Sequence, residues 1–241
     1  MIQTKYIDYK DGSTALEGFY AADETLTTIR PAILVVHDWS GRNEFSCQKA
    51  EQLAQLGYIG FAIDMFGKGV LGRNNDEKMA LISPFLNDRG LLTLRILSAY
   101  HALKKLEYVD TSRIAAIGYC FGGLCVLDLA RSNADVCGVV SFHGLLNAPS
   151  ERQQTPIKAK VLAFQGHDDP MVPPEQVLAF ENEMTAAQVD WQVTTYGNTT
   201  HGFTNPLAND NKLGTLYNPV AAERAWLGMK IFFEEILAIS S

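Results

Sequence analysis

The sequence predicts an α/β fold: a mostly parallel central sheet with helices on both faces and an antiparallel hairpin at the N-terminus, in a single domain over residues 1–241. Three observations carry this expectation. Short β-branched and apolar runs alternate with helix-length segments, the pattern of a parallel sheet buried on both sides. The 241 residues are 47% hydrophobic, enough for one sizeable core without disulfides or a metal. No internal repeat, low-complexity tract or linker divides the chain.

Taken in order, "KYIDY" and "STALEGFYA", joined at Asp11 and Gly12, suit two strands around a tight turn. "AILVVHDW" reads as a buried strand, Asn43 to Leu56 as an amphipathic helix, and "YIGFAIDMFG" as the next strand, closing on Gly67. From Lys68 to Arg89 glycine and asparagine mix with a helical piece, a segment that either covers a site or runs over the surface. Leu91 to Leu106 gives a helix, "RIAAIGY" a strand, Phe121 to Ala130 a helix, and "CGVVSFH" and "KVLAFQG" two more strands. A helix from Pro174 to about Ala187, the strand "DWQVTTYG" and a closing helix from Ala221 to Ile239 complete the pattern.

Charge and cysteine usage narrow the function classes. The formal charge is −7, from 20 Lys plus Arg against 27 Asp plus Glu, which leaves no basic footprint for nucleic acid or an anionic membrane. No apolar run reaches the ~18 residues of a spanning helix, and the N-terminus lacks a basic region followed by an apolar one. A cytoplasmic protein, monomeric or a small homo-oligomer, with a small-molecule partner is expected. Cys47, Cys120, Cys125 and Cys137 show no CxxC spacing, so neither a zinc site nor a disulfide framework is expected.

The chemistry concentrates at "GYCFGG", Gly118 to Gly123, between a strand and a helix. Gly118 and Gly122 flank Cys120 at G-x-C-x-G spacing, which removes side chains that would collide where strand and helix pass closely. The turn places Cys120 at a helix N-terminus, where the partial positive charge favours thiolate over thiol. Candidates for a base and its orienting acid follow in chain order, each after a strand: "GHDDPMVP" offers Asp168 or Asp169, either by spacing alone, and "TTHGF" offers His201. His143 ends a strand and is placed as a possible border of the pocket.

These stretches resemble the dienelactone hydrolase family of the α/β-hydrolase fold over nearly the whole chain. Four motifs carry the resemblance: "HDWSG" (His37 to Gly41), "GYCFGG", "GHDDPMVP" (Gly166 to Pro173) and "HGF" (His201 to Phe203). Cysteine where most α/β-hydrolases have serine is the most discriminating. The resemblance implies a Cys120–His201–Asp169 triad, because the family's acid precedes the tail that Pro170 to Pro173 reproduce. It implies an oxyanion hole from the backbone N–H groups of Trp39 and Phe121, a thioacyl-enzyme intermediate, and small esters or lactones as substrates. No metal or cofactor is implied. Asp38 takes the place of an acidic residue, often glutamate, that gates the resting thiol, here one methylene shorter. Asn205 stands where relatives acting on carboxylated lactones have an arginine, and Arg42, Arg73 and Arg89 lie in site-side loops without a motif. Two other classes stay open: a binding or regulatory protein on a hydrolase fold, and a thiol redox sensor using Cys120.

Overall fold

The structure, a computed structural model, describes residues 1–25, 27–150 and 155–238. An N-terminal hairpin pairs β1 (Ile2–Asp11) with β2 (Thr14–Asp23), and Gly12 takes the positive φ of +55° that the turn needs. Then follow β3 (Arg30–Val36), α1 (Glu44–Gln55), β4 (Ile59–Ile63), α2 (Asn75–Asn87), α3 (Arg89–Leu103) and β5 (Val109–Tyr119). The second half is α4 (Phe121–Arg131), β6 (Gly138–Phe142), β7 (Lys160–Gly166), α5 (Pro174–Ala186), β8 (Trp191–Tyr196), β9 (Asn209–Asp210), β10 (Thr215–Leu216) and α6 (Pro219–Ile236).

Eight strands form one sheet in the order β1-β2-β4-β3-β5-β6-β7-β8. The β1/β2 and β2/β4 pairs are antiparallel and every pairing from β4 to β8 is parallel. Period-2 alternation sorts the buried residues to two faces. Ala32, Leu34 and Val36 of β3 join a core with Ile82 and Phe85 of α2, Leu92 and Ile96 of α3, Leu124 of α4 and Phe180 of α5. Ile33 and Val35 face the other way, onto Leu53 of α1 and Met229 and Phe233 of α6. With helices on both faces the central strands carry continuous apolar runs, such as Ala32 to Val36 of β3 and Ile114 to Ile117 of β5. Among the described residues no helix is long and apolar enough to cross a membrane.

The differences from the sequence reading have local causes. β4 ends at Ile63 rather than Gly67 because Asp64 Oδ1 accepts the N–H groups of Phe66 and Gly67 and bends the chain. The blurred stretch from Lys68 to Arg89 contains α2, capped by Asn74, whose side chain accepts from Glu77 N, with Asp76 and Glu77 in the first turn. Asp88 ends α2 and caps α3 through Leu91 N, so α3 starts at Arg89; its other end closes at Lys104, whose N–H bonds back to Tyr100 O, and the helix stops at Leu103 rather than Leu106. β6 starts at Gly138, leaving Cys137 just outside it. Asn218 caps α6 through Ala221 N, earlier than expected, and the expected end at Ile239 lies outside the described residues. The β9–β10 hairpin, only two residues a side, carried no periodic signal.

Candidate active site

Cys120 follows β5 directly and is the residue from which α4 springs. Its backbone has φ +55° and ψ −117°, a region non-glycine residues enter at a cost of about 1–3 kcal/mol unless their surroundings hold them there. Here the surroundings do. Cys120 N donates to Phe142 O at 3.0 Å, and Cys120 O accepts from Gly123 N at 2.9 Å. Glycine is needed on both sides: a Cβ on Gly118 would run into the Gly122 carbonyl, and one on Gly122 into the Val36 carbonyl. The result is a half-buried thiol held above the sheet at a helix N-terminus.

Of the two aspartates after β7, Asp168 is exposed and Asp169 is buried. Asp169 Oδ2 accepts from His201 Nδ1 at 2.7 Å, and Oδ1 accepts from Met171 N at 2.8 Å, so both oxygens are fixed. That bond sets the proton on Nδ1 and leaves Nε2 unengaged. Nε2 is buried and, among the described residues, has no hydrogen-bond partner. Burial pulls the His201 pKa down, but the negative charge of Cys120, the hydrogen bond to Asp169 and the Asp169 charge outweigh it and push it up to about 10. The ring therefore favours the imidazolium form.

The loop after β3 holds Trp39. His37 is fully buried and its pKa is driven down by that burial, keeping the ring neutral. Its Nε2 accepts from Met65 N at 3.2 Å and its Nδ1 donates to Asp38 O, which fixes the loop's entry. Trp39 packs half-buried against the core, with Lys78 Nζ 5.3 Å from its ring centre. The N–H of Phe121 lies in the first turn of α4, where no intrahelical acceptor exists. Among the described residues neither this amide nor that of Trp39 has a hydrogen-bond partner.

Asp38 Oδ1 accepts from Ser40 N at 2.8 Å, so in this conformation the carboxylate caps its own loop. Two of the three arginines are engaged elsewhere: Arg42 binds Glu17 at 2.6 Å, and Arg89 grips Asp128 through Nε at 2.6 Å and Nη2 at 2.7 Å. Arg73 is exposed, and Asn205 Oδ1 closes a turn by accepting from Leu207 N. His143 is the residue the sequence underweighted, because it stands edge-on to His201 with ring centres 5.1 Å apart. Its position at the carboxyl end of a parallel strand, where open sheets build sites, was the signal available for it.

A mostly parallel sheet in this order, with a strained residue between glycines after β5 and a bonded Asp–His pair after β7 and β8, is an α/β-hydrolase fold. The chain belongs to the dienelactone hydrolase family, which matches residues 16–237. The crystal structure of a dienelactone hydrolase-like promiscuous phosphotriesterase from metagenomic libraries is 34% identical, with a TM-score of 0.94 over 98% of this chain and 99% of that one. A Bradyrhizobium sp protein described as a probable 2-oxo-3-(5-oxofuran-2-ylidene)propanoate lactonase is 26% identical over 223 residues, 88% of this chain and 87% of its own. An uncharacterised Caenorhabditis elegans protein is 34% identical over 160 residues, 62% of this chain and 96% of its own.

Proposed function

We propose that this chain, as one domain over residues 1–241, hydrolyses small carboxylic esters or lactones through a Cys120–His201–Asp169 triad. The observation that carries the reading is the His201–Asp169 bond of 2.7 Å, with the free imidazole nitrogen left to a thiol on a positive-φ turn. Cys120 thiolate attacks the carbonyl carbon, and the tetrahedral oxyanion takes the N–H groups of Trp39 and Phe121. Collapse breaks the C–O bond, His201 gives its proton to the leaving alkoxide, and a thioester remains on Cys120. In a lactone the released alcohol stays attached to the acyl group. His201 then takes a proton from water, whose oxygen attacks the thioester, and the acid leaves as the thiolate is restored. Asp169 holds the Nδ1–H tautomer and offsets the imidazolium charge.

The cycle uses no cofactor, and a small soluble ester encountered in the cytoplasm, by a monomer or small homo-oligomer, suits it. With Arg42 and Arg89 both ion-paired, uncharged esters and lactones are favoured over carboxylated ones. Asp38, released from Ser40, is proposed to gate the thiol; Asp38→Ala should then change the pH profile of Cys120 alkylation. A second reading, phosphotriester cleavage by the same thiolate, is favoured by the 34% identity to a protein described as a promiscuous phosphotriesterase. A panel of p-nitrophenyl acetate, a γ-lactone and a p-nitrophenyl dialkyl phosphate, run with wild type, Cys120→Ser and Cys120→Ala, tests both. A burst of p-nitrophenol that Cys120→Ala lacks is expected on the acetate. Equal release by all three proteins would sink the hydrolase reading and return the chain to the binding or redox classes.

A further inference from the structure

His143 is buried and has φ +41°, a left-handed backbone that only its surroundings can impose on such a residue. Its N–H donates to Phe164 O at 2.8 Å, so β7 holds the strained turn. The ring stands edge-on to His201 and to Phe203, with centres 5.1 Å and 5.2 Å away, and its Nε2 shares a hydrogen bond of 2.8 Å with Thr204 Oγ1. The titratable rings around it are His201 and Tyr119, the latter 6.1 Å off. Burial, and then the charge of His201, hold the His143 pKa well below its ordinary value, so the ring is neutral.

Its neighbour in the chain serves the other half of the site. Phe142 O accepts the Cys120 N–H and so pins the turn that carries the thiol. The loop that carries His201 is otherwise tied away from that turn. His201 N donates to Gly214 O, Leu216 N to His201 O and Asn218 N to Phe203 O, all toward the β9–β10 hairpin and the start of α6. Among the described residues, the Thr204–His143 bond is the hydrogen bond that joins this loop to the end of β6. Two adjacent residues therefore hold the nucleophile's turn by main chain and the base's loop by side chain.

We infer that His143 and Thr204 form a clamp that sets the separation of Cys120 and His201 by joining the His201 loop to the strand end that pins the Cys120 turn. The inference rests on the reading of Cys120 and His201 as nucleophile and base. His143 is a positioning residue: its Nε2 is occupied by Thr204, and it reaches the chemistry only through the His201 ring and loop. A neutral ring suits this place, because a second cation beside His201 would repel the imidazolium that the site stabilises.

The test compares Thr204→Val, which keeps the shape and removes the hydroxyl, Thr204→Ser, which keeps the hydroxyl, and His143→Phe, which keeps an aromatic ring and removes the bond. Each is measured for p-nitrophenyl acetate turnover, for the pH dependence of Cys120 alkylation by iodoacetamide, and for Tm. Thr204→Val and His143→Phe should lose about tenfold to a hundredfold in kcat, the scale of a small misplacement of reacting groups, with KM nearly unchanged. Their alkylation profiles should move to higher pH, while Thr204→Ser stays near wild type. Unchanged kcat and alkylation in both variants overturns the clamp, and so does a fall in kcat or Tm with an unmoved alkylation profile. Alkylation needs no ester, so a wild type that turns over none of the panel would end the hydrolase reading and still leave the clamp decided.

Discussion

At His201 the largest single influence, burial, opposes the ionised ring, yet the charge of Cys120 and the hydrogen bond and charge of Asp169 prevail and lift its pKa to about 10. The leading upward influence is Cys120, which makes the titration a readout of the pair. Imidazole NMR signals of His201 should stay in the protonated form well past pH 8 in wild type, and Cys120→Ala should bring the titration midpoint down. A midpoint that does not move would break the pairing. Stability follows the same shift. The folded state binds this proton more tightly than the unfolded chain, whose histidines titrate near ~6.5, so the contribution is fully present below that pH. It is lost as pH climbs through about 10, and urea unfolding between pH 7 and 10 should show a loss in wild type that Cys120→Ala lacks. Asp169→Asn would exchange an acceptor for a possible donor at Nδ1 and should lower kcat by about a hundredfold or more. Steady-state kinetics on the same ester would measure it.

Among the elements, the junction of β5 with α4 has no room to adjust. β3, β5 and the first turn of α4 meet backbone to backbone, and the atoms a new Cβ would strike at Gly118 or Gly122 are main-chain ones. Gly122→Ala should cost about 3 kcal/mol or more, since strain of this kind cannot be relieved by a rotamer change. In a chain of this size that corresponds to about 6–12 °C in Tm, which a thermal melt would show. This junction was legible as G-x-C-x-G because its cause is local. The segment holding α2 was not, because that helix buries only Ile82 and Phe85 on its core face and contains Pro84. Its caps, Asn74 and Asp88, were readable residues whose meaning depended on where the helix lay.

Across the molecule, a buried ionic network fastens α3, α4 and α5 together behind the site. Asp128 takes the fork of Arg89 and a bond from Arg131, and Arg131 reaches on to Glu183 at 2.7 Å. Both arginines also donate to carbonyls of the loop after β6, at Leu146 and Asn147. Removing the Asp128 charge would take from Arg89 the carboxylate it forks onto and leave Arg131 to Glu183, so Asp128→Asn should cost about 3–5 kcal/mol of stability in denaturant titrations. Asp128 lies eight positions along α4 from Cys120, about 12 Å at the helical rise, so kcat of the folded variant should change little. A large kcat loss in that variant would mean that the network reaches the site through α4.

What could be read from the residues alone was what short-range physics sets. Alternating strands and helices dictate a parallel sheet with two covered faces, and glycines around a cysteine at a strand end dictate a tight, strained turn. Each of these depends on neighbours within a few positions. The sequence left Asp168 and Asp169 equal by spacing, and family resemblance favoured Asp169; burial and its contact with His201, 32 positions away, separate the two in space. It left Arg42 and Arg89 as open cations, and ion pairs with Glu17 and Asp128 occupy them. The bond from His143 to Thr204 spans 61 positions and had no signal beyond a strand-terminal histidine. Such partners are chosen by how the loops after β6, β7 and β8 come together, and no spacing rule reaches across the sheet.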